Sequence, residues 1–182
     1  MKTITVFGSS QVRPDQPLYH TAVEIGADLA RAGYKVMTGG YYGMMEAVSK
    51  GARQADGHVI GVTTDQIGKR FNVEPNAYNC EIVHFADLRD RLLYMVEKAD
   101  AYLAMPGGTG TLHEIAETWE LMRIGGIPDR PFICFGGLWQ GIIGALQASP
   151  YLGAGYQGMI TIARTREEVF LHLNGADGDR RE

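Results

Sequence analysis

The sequence predicts a single α/β domain, a doubly wound, Rossmann-like parallel sheet of about seven strands with helices on both faces. Three observations carry that expectation. Short β-branched and aromatic runs of strand length recur along the chain. Helical patterns lie between most of them. The 24 glycines cluster after those runs instead of spreading as a linker, which is how strand-to-helix turns punctuate this class. At 182 residues the chain fits one domain, read as residues 1–173, with residues 174–182 as a C-terminal tail that has no apolar anchor and should fray.

In chain order, the strand candidates are Thr3 to Phe7, Lys35 to Thr38, His58 to Thr63, Glu81 to Phe85, Ala101 to Met105, Pro131 to Phe135 and Met159 to Ala163. Near-continuous apolar runs such as Ala101-Tyr102-Leu103-Ala104-Met105 suit parallel strands covered on both faces. A first helix is expected over Tyr19 to Ala32, where Ala22, Val23, Ile25, Gly26, Leu29 and Ala30 form a stripe at helical spacing. A second runs from Gly43 to Ala55. A third spans Asp87 to Ala99 with Leu88, Leu92, Met95, Val96 and Ala99 inward, and a fourth spans Thr111 to Ile124 with Leu112, Ile115, Ala116, Trp119 and Met122 on one face. Thr64 to Cys80 has no clear period and reads as a surface loop, of the kind that can cover a ligand.

Composition excludes several functions. The balance of 17 basic against 21 acidic residues gives a net charge of −4, with only five lysines and no basic tract, so electrostatic capture of nucleic acid or an anionic membrane is not expected. No apolar stretch approaches the length of a membrane span or a signal-peptide core, which places the chain in the cytoplasm. Cys80 and Cys134 stand far apart and read as two buried thiols of a reducing compartment. No metal and no cofactor are expected. His113-Glu114-Ile115-Ala116-Glu117 puts Glu117 where H-E-x-x-H needs its second histidine. His20, His58, His84 and His172 keep no spacing with a nucleophile, and Gly8-Ser9-Ser10 is not a G-x-S-x-G elbow.

In such a sheet ligands bind beyond the carboxyl ends of the strands, where strand order reverses. Three turns there are glycine-rich: Gly8-Ser9-Ser10, Gly39-Gly40-Tyr41-Tyr42-Gly43 and Gly107-Gly108-Thr109-Gly110-Thr111. The third follows a buried strand and opens a helix. Its bare backbone N–H groups, the helix dipole and two hydroxyls complement a phosphate, so a phosphorylated small molecule is the expected guest. The dinucleotide fingerprint fails because His113 stands where G-x-G-x-x-G needs glycine, and no P-loop lysine follows. Glu114 has two readings: a capping box Thr111-x-x-Glu114, or a carboxylate facing the sugar of a bound nucleotide. Arg91 likewise reads as an exposed helix-surface partner or as a guanidinium beside Glu114 or a phosphate.

Pro106-Gly107-Gly108-Thr109-Gly110-Thr111-Leu112-His113-Glu114 resembles the PGGxGTxxE signature of the Lonely Guy (LOG) family, cytokinin-nucleotide phosphoribohydrolases often mislabelled as lysine decarboxylases. Arg91 ahead of Ala99-Asp100-Ala101 is similar to the family's catalytic arginine, and Gly39-Gly40-Tyr41-Tyr42-Gly43-Met44-Met45 to its GGGxxGLM turn. The resemblance covers roughly residues 3–140. It implies hydrolysis of the N-glycosidic bond of a nucleoside 5′-monophosphate, with Arg91 and Glu114 catalytic and Gly107, Gly108, Thr109, Gly110, Thr111, Gly39, Gly40 and Ser9 binding substrate. It also implies a homodimer. The chain departs from the family at Leu92 for a lysine, Thr38 for the first glycine of GGGxxG, Glu46 for the glycine after LM, and at Glu120 to Gly125. A decarboxylase would need a Schiff-base lysine, and none of the five lysines lies near the phosphate turn. The alternative is a non-catalytic carrier on the same scaffold, such as the molybdenum-cofactor carriers, which needs the anion turn but no carboxylate at a ribose.

Overall fold

A computed structural model describes residues 1–178. Seven strands form one parallel sheet: β1 (Thr3–Phe7), β2 (Lys35–Thr38), β3 (Val59–Thr64), β4 (Glu81–Phe85), β5 (Ala101–Ala104), β6 (Phe132–Phe135) and β7 (Thr161–Ala163). Their spatial order is β4-β3-β2-β1-β5-β6-β7. The chain therefore winds outward from β1 to β4, returns, and continues on the other side from β5. The reversal falls between β1 and β5, whose register sets Phe7 beside Ala104.

Helices α1 (Pro17–Arg31), α2 (Met44–Gln54) and α7 (Arg166–Gly178) cover one face. Helices α4 (Leu88–Glu97), α5 (Thr109–Arg123) and α6 (Gly137–Gln147) cover the other. Burial on both sides explains why the central strands are apolar along their whole length: every residue of β5 and β6 is buried. The first core joins Ile4, Val6, Val36 and Leu103 to Ile25 and Leu29 of α1 and Val48 of α2. The second joins Phe7, Tyr102 and Phe132 to Met95 of α4, Trp119 of α5 and Trp139 of α6.

Several expectations need correction. The Thr64–Cys80 stretch contains a short helix, α3 (Asp65–Phe71), whose N-cap hydroxyl on Thr64 accepts from Gln66 N–H. None of its residues is buried, which is why no apolar period announced it. Helix α5 begins at Thr109, two residues earlier than expected, inside the glycine-rich turn. Leu88, Leu112 and Ala116, expected inward, are exposed, and so is Cys80. Of the tail expected at 174–182, residues 174–178 close α7, and 179–182 lie outside the described residues. Among the described residues no helix is long and apolar enough to cross a membrane.

Polar contacts fix the two elements that matter most below. Thr5 Oγ1 donates to Met95 O at 2.8 Å and Tyr102 Oη to Val96 O at 2.6 Å, while Arg130 donates to Val96 O and Glu97 O at the carboxyl end of α4. A cation there also complements the helix dipole. Trp139 Nε1 donates to Met105 O at 3.0 Å, tying the residue before the Pro106 turn to α6. Because Trp139 is fully buried, Trp139→Phe leaves both a small void and an unpaired carbonyl. We expect it to lower the unfolding free energy by about 2 kcal/mol, read as a shift of the urea midpoint at unchanged slope.

Candidate active site

The turns after β1 and β5 leave the sheet side by side, and Ser9 N–H donates to Pro106 O at 3.1 Å. Above them opens a cleft of about 520 Å³. Its floor and one wall are polar: Ser9, Ser10, Gly108, Thr109, Gly110, Thr111, His113, Glu114 and Arg91. The opposite wall is apolar, built by Tyr41, Tyr42 and Met45 after β2, by Ile67, Phe71 and Val73 from α3 and its exit, and by Leu88 and Leu92 of α4.

Gly108 is the N-cap of α5 and makes no side-chain cap bond. The first helical N–H groups, from Thr109, Gly110 and Thr111, have no intrahelical partner by geometry and face the cleft end of the helix. A Cβ at Gly108 or Gly110 would meet nothing within 4 Å, so packing does not demand glycine there. Gly107 is different: a Cβ there would sit 2.1 Å from Thr111 Oγ1. It lies behind the wall and lets the turn close on Thr111. Glu114 is the sixth residue of α5, so the capping-box geometry is absent and the carboxylate is free to face the cleft.

Arg91 is 4% exposed. Its Nε donates to Val62 O at 2.7 Å, and its Nη1 stands 4.0 Å from Glu114 Oε1. A Cβ on Gly39 would lie 1.9 Å from Arg91 Nη2. Gly39 and Gly40 therefore do not line the cleft; Gly39 makes room for the guanidinium. Their turn is held from behind, where Asn76 donates to Gly40 O and Tyr41 O and Asn79 donates to Gly40 O. Burial pulls the Arg91 pKa down, opposed by Glu114. Burial pushes the Glu114 carboxyl up to about 7, and Arg91 only partly offsets this.

The sequence placed Arg91, Glu114, Ser9 and the Gly108–Thr111 turn, and the structure brings these together. It missed the apolar wall. Tyr41 and Tyr42 were visible only as part of a glycine turn, and Ile67 and Phe71 lie on the helix that no period revealed. The available signal was Thr64-Asp65 as an N-cap with Lys69 four residues on from Asp65, and that ion pair forms at 3.0 Å.

Fold and site together define a Rossmann-like α/β protein with a PGGxGTxxE turn at its switch point and a buried arginine paired with a half-buried glutamate beside it. The chain belongs to the SLOG cluster4 family, whose model matches residues 1–127. It is similar to a probable cytokinin riboside 5′-monophosphate phosphoribohydrolase of Oryza sativa subsp. japonica, 33% identical over 126 residues, covering 68% of this chain and 54% of that protein. It is also similar to proteins named cytokinin riboside 5′-monophosphate phosphoribohydrolase from Arabidopsis thaliana (30%, 71% of this chain, 56% of that one) and Mycobacterium tuberculosis (31%, 64% and 61%). The chain thus spans little more than half the length of these relatives. In fold it resembles the molybdenum cofactor binding protein of Rippkaea orientalis, with a TM-score of 0.76 at 22% identity over 97% of both chains. The molybdenum cofactor carrier protein of Chlamydomonas reinhardtii matches with a TM-score of 0.71 at 19% identity, over 98% of this chain and 99% of that one.

A carboxyl held up to about 7 in the fold and near 4.5 when unfolded binds its proton more tightly in the native state. The cost of ionising it is absent below about pH 4.5 and complete above about pH 7. Glu114→Gln should therefore gain stability relative to the parent protein as pH rises from 5 to 8, by on the order of 2 kcal/mol, in paired urea titrations at the two pH values. Equal differences at both would show that Glu114 ionises freely.

Proposed function

We propose that the protein hydrolyses the N-glycosidic bond of a nucleoside 5′-monophosphate, releasing the free base and ribose 5-phosphate. The observation that carries this reading is the pairing of a buried Arg91 with a half-buried Glu114 in the cleft wall beside an anion-type turn. Taking a guanidinium and a carboxyl out of water costs stability, and a protein that only holds a phosphorylated ligand gains nothing from it. The names of the curated relatives support the same reaction class.

In this reading the 5′-phosphate sits on the N–H groups of Thr109, Gly110 and Thr111 with the hydroxyls of Ser9 and Thr111 around it. The base lies against Tyr41, Tyr42, Met45 and Leu92. That puts C1′ of the ribose near Glu114. Bond cleavage passes through an oxocarbenium-like state, and an ionised carboxylate stabilises that charge and orients the attacking water. Arg91, fixed by Val62 O and Gly39, holds Glu114 in place and favours its charged form.

The test is chromatography of products after incubation with AMP and with isopentenyladenosine monophosphate. Wild type should release base and ribose 5-phosphate, and Glu114→Gln should lower kcat by a factor of about 100 or more. The value of kcat/KM should rise with pH through about 7 as Glu114 ionises. Tight binding of either nucleotide with no release would move the assignment to the carrier reading.

Gly110 separates binding from folding. With open space and a helical backbone, Gly110→Ala should stabilise the fold by about 0.5 kcal/mol. It should also raise KM for AMP several-fold, because the added methyl meets the phosphate. A stabilised variant with unchanged KM would place the phosphate elsewhere.

A further inference from the structure

We propose that His113 supplies the positive charge that holds the substrate's phosphate in this cleft, making it a binding and specificity residue that selects phosphomonoesters over uncharged nucleosides. The inference rests on the phosphomonoester part of the reading above, and it starts from what the cleft lacks. A phosphomonoester carries about −1.5 to −2 charges near neutral pH, whereas a helix N-terminus offers the equivalent of roughly half a positive charge. A cation beside the turn would strengthen the hold on a dianion.

Among the residues lining the cleft, Arg91 is the one Lys or Arg, and it is already committed. Its Nε is bonded to Val62 O, its Nη2 lies against Gly39 and its Nη1 faces Glu114. It is a buried part of the cleft wall beside Glu114. Ser9, Ser10, Thr109 and Thr111 bring hydroxyls and no charge. That leaves His113, whose imidazole is the side-chain type that changes charge near neutral pH.

The helix places it well. Side chains on a helix lean toward its N-terminus and cover the residues three and four positions earlier. For His113 these are Gly110 and Thr109, both part of the cleft lining, and Gly110 puts no Cβ in the way. His113 thus lines the same cleft as the turn whose N–H groups face the ligand. Glu114, its neighbour on α5, also lines the cleft and is held next to Arg91. The charged and titratable groups around His113 are Glu114 and Glu117 on its own helix, Arg91 on α4, and Tyr41 and Tyr42 after β2; α3 contributes only Ile67 and Phe71. Without a bound anion, a cation in the first turns of a helix is opposed by the macrodipole.

The experiment compares wild type, His113→Gln and His113→Lys from pH 5.5 to 8.5, with KM and kcat for AMP and calorimetric Kd for ribose 5-phosphate. Expressing each variant as a ratio to wild type at the same pH removes the titrations of the phosphate and of Glu114. His113→Gln should weaken KM and Kd by about tenfold at pH 6, with far less change in kcat. His113→Lys should restore the low values and carry them to pH 8.5. A His113→Gln protein with unchanged KM and Kd at pH 6 overturns the proposal while hydrolysis by wild type leaves the assigned reaction standing. A kcat loss at unchanged KM overturns it as well. If wild type binds ribose 5-phosphate without releasing base, the hydrolase assignment fails, and the Kd ratios alone decide for or against His113. Absence of ribose 5-phosphate binding by wild type overturns both.

Discussion

All seven strands run the same way, so every carboxyl end lies on one rim of the sheet, and the reversal of strand order between β1 and β5 opens a gap in that rim. The helices leaving those two strands go to opposite faces, which is what leaves the space above the reversal empty of backbone. The Gly8 and Pro106 turns meet at its base through a single backbone bond, and α5 starts with its unpaired N–H groups aimed into it. Everything functional in the molecule follows from that placement. A ligand here meets the positive end of a helix and the turns after strands β1, β2 and β5.

The second constraint is that a guanidinium has been almost wholly buried. A buried charge stays in a fold only when the surroundings are shaped to it. Here Val62 offers a carbonyl, Gly39 gives up its Cβ and Glu114 stands opposite at 4.0 Å, a distance of ion pairing with no direct hydrogen bond. The contacts that pin α4 from Thr5, Tyr102 and Arg130 serve the same end, since they hold the helix that carries Arg91 against the sheet. Local glycine choices, distant caps and a long arginine side chain form one arrangement.

The strands were legible because each is a short apolar run ended by glycine, a threonine or a polar turn, and buried parallel strands have nothing else to vary. All seven strands and all four expected helices keep their ends to within two residues. The start of α5 was misplaced for a definite reason. Thr111-x-x-Glu114 has the letters of a capping box, but the helix begins where backbone and glycine allow, and no side chain caps it. Of the site, the phosphate-type turn could be read from residues alone. Arg91 and Glu114 are 23 positions apart in sequence, on different helices, and no spacing rule relates them; the residues left their pairing as one of two readings, and the resemblance to a family favoured it. The apolar wall was illegible because its members are scattered over three elements and look like surface residues. Asn76 and Asn79 looked like loop filler, yet they clamp the turn after β2.

Helix α3 makes the two sides of the cleft mechanically unequal. It buries none of its own side chains, though it presents Ile67 and Phe71 to the cavity, with Phe71 66% exposed. It is fastened through the ends of side chains: Tyr41 Oη with Thr64, Gln66 with Asp87 and the N–H of Leu88, and His84 with Asp65. The Tyr41–Thr64 bonds are buried, but those of Gln66 and Asp65 are exposed, and water can replace them at little cost. The polar side, by contrast, is built from the sheet and two helices whose cores would have to open. The cleft is therefore bounded on one side by sheet and packed helices and on the other by a helix with no buried side chain of its own.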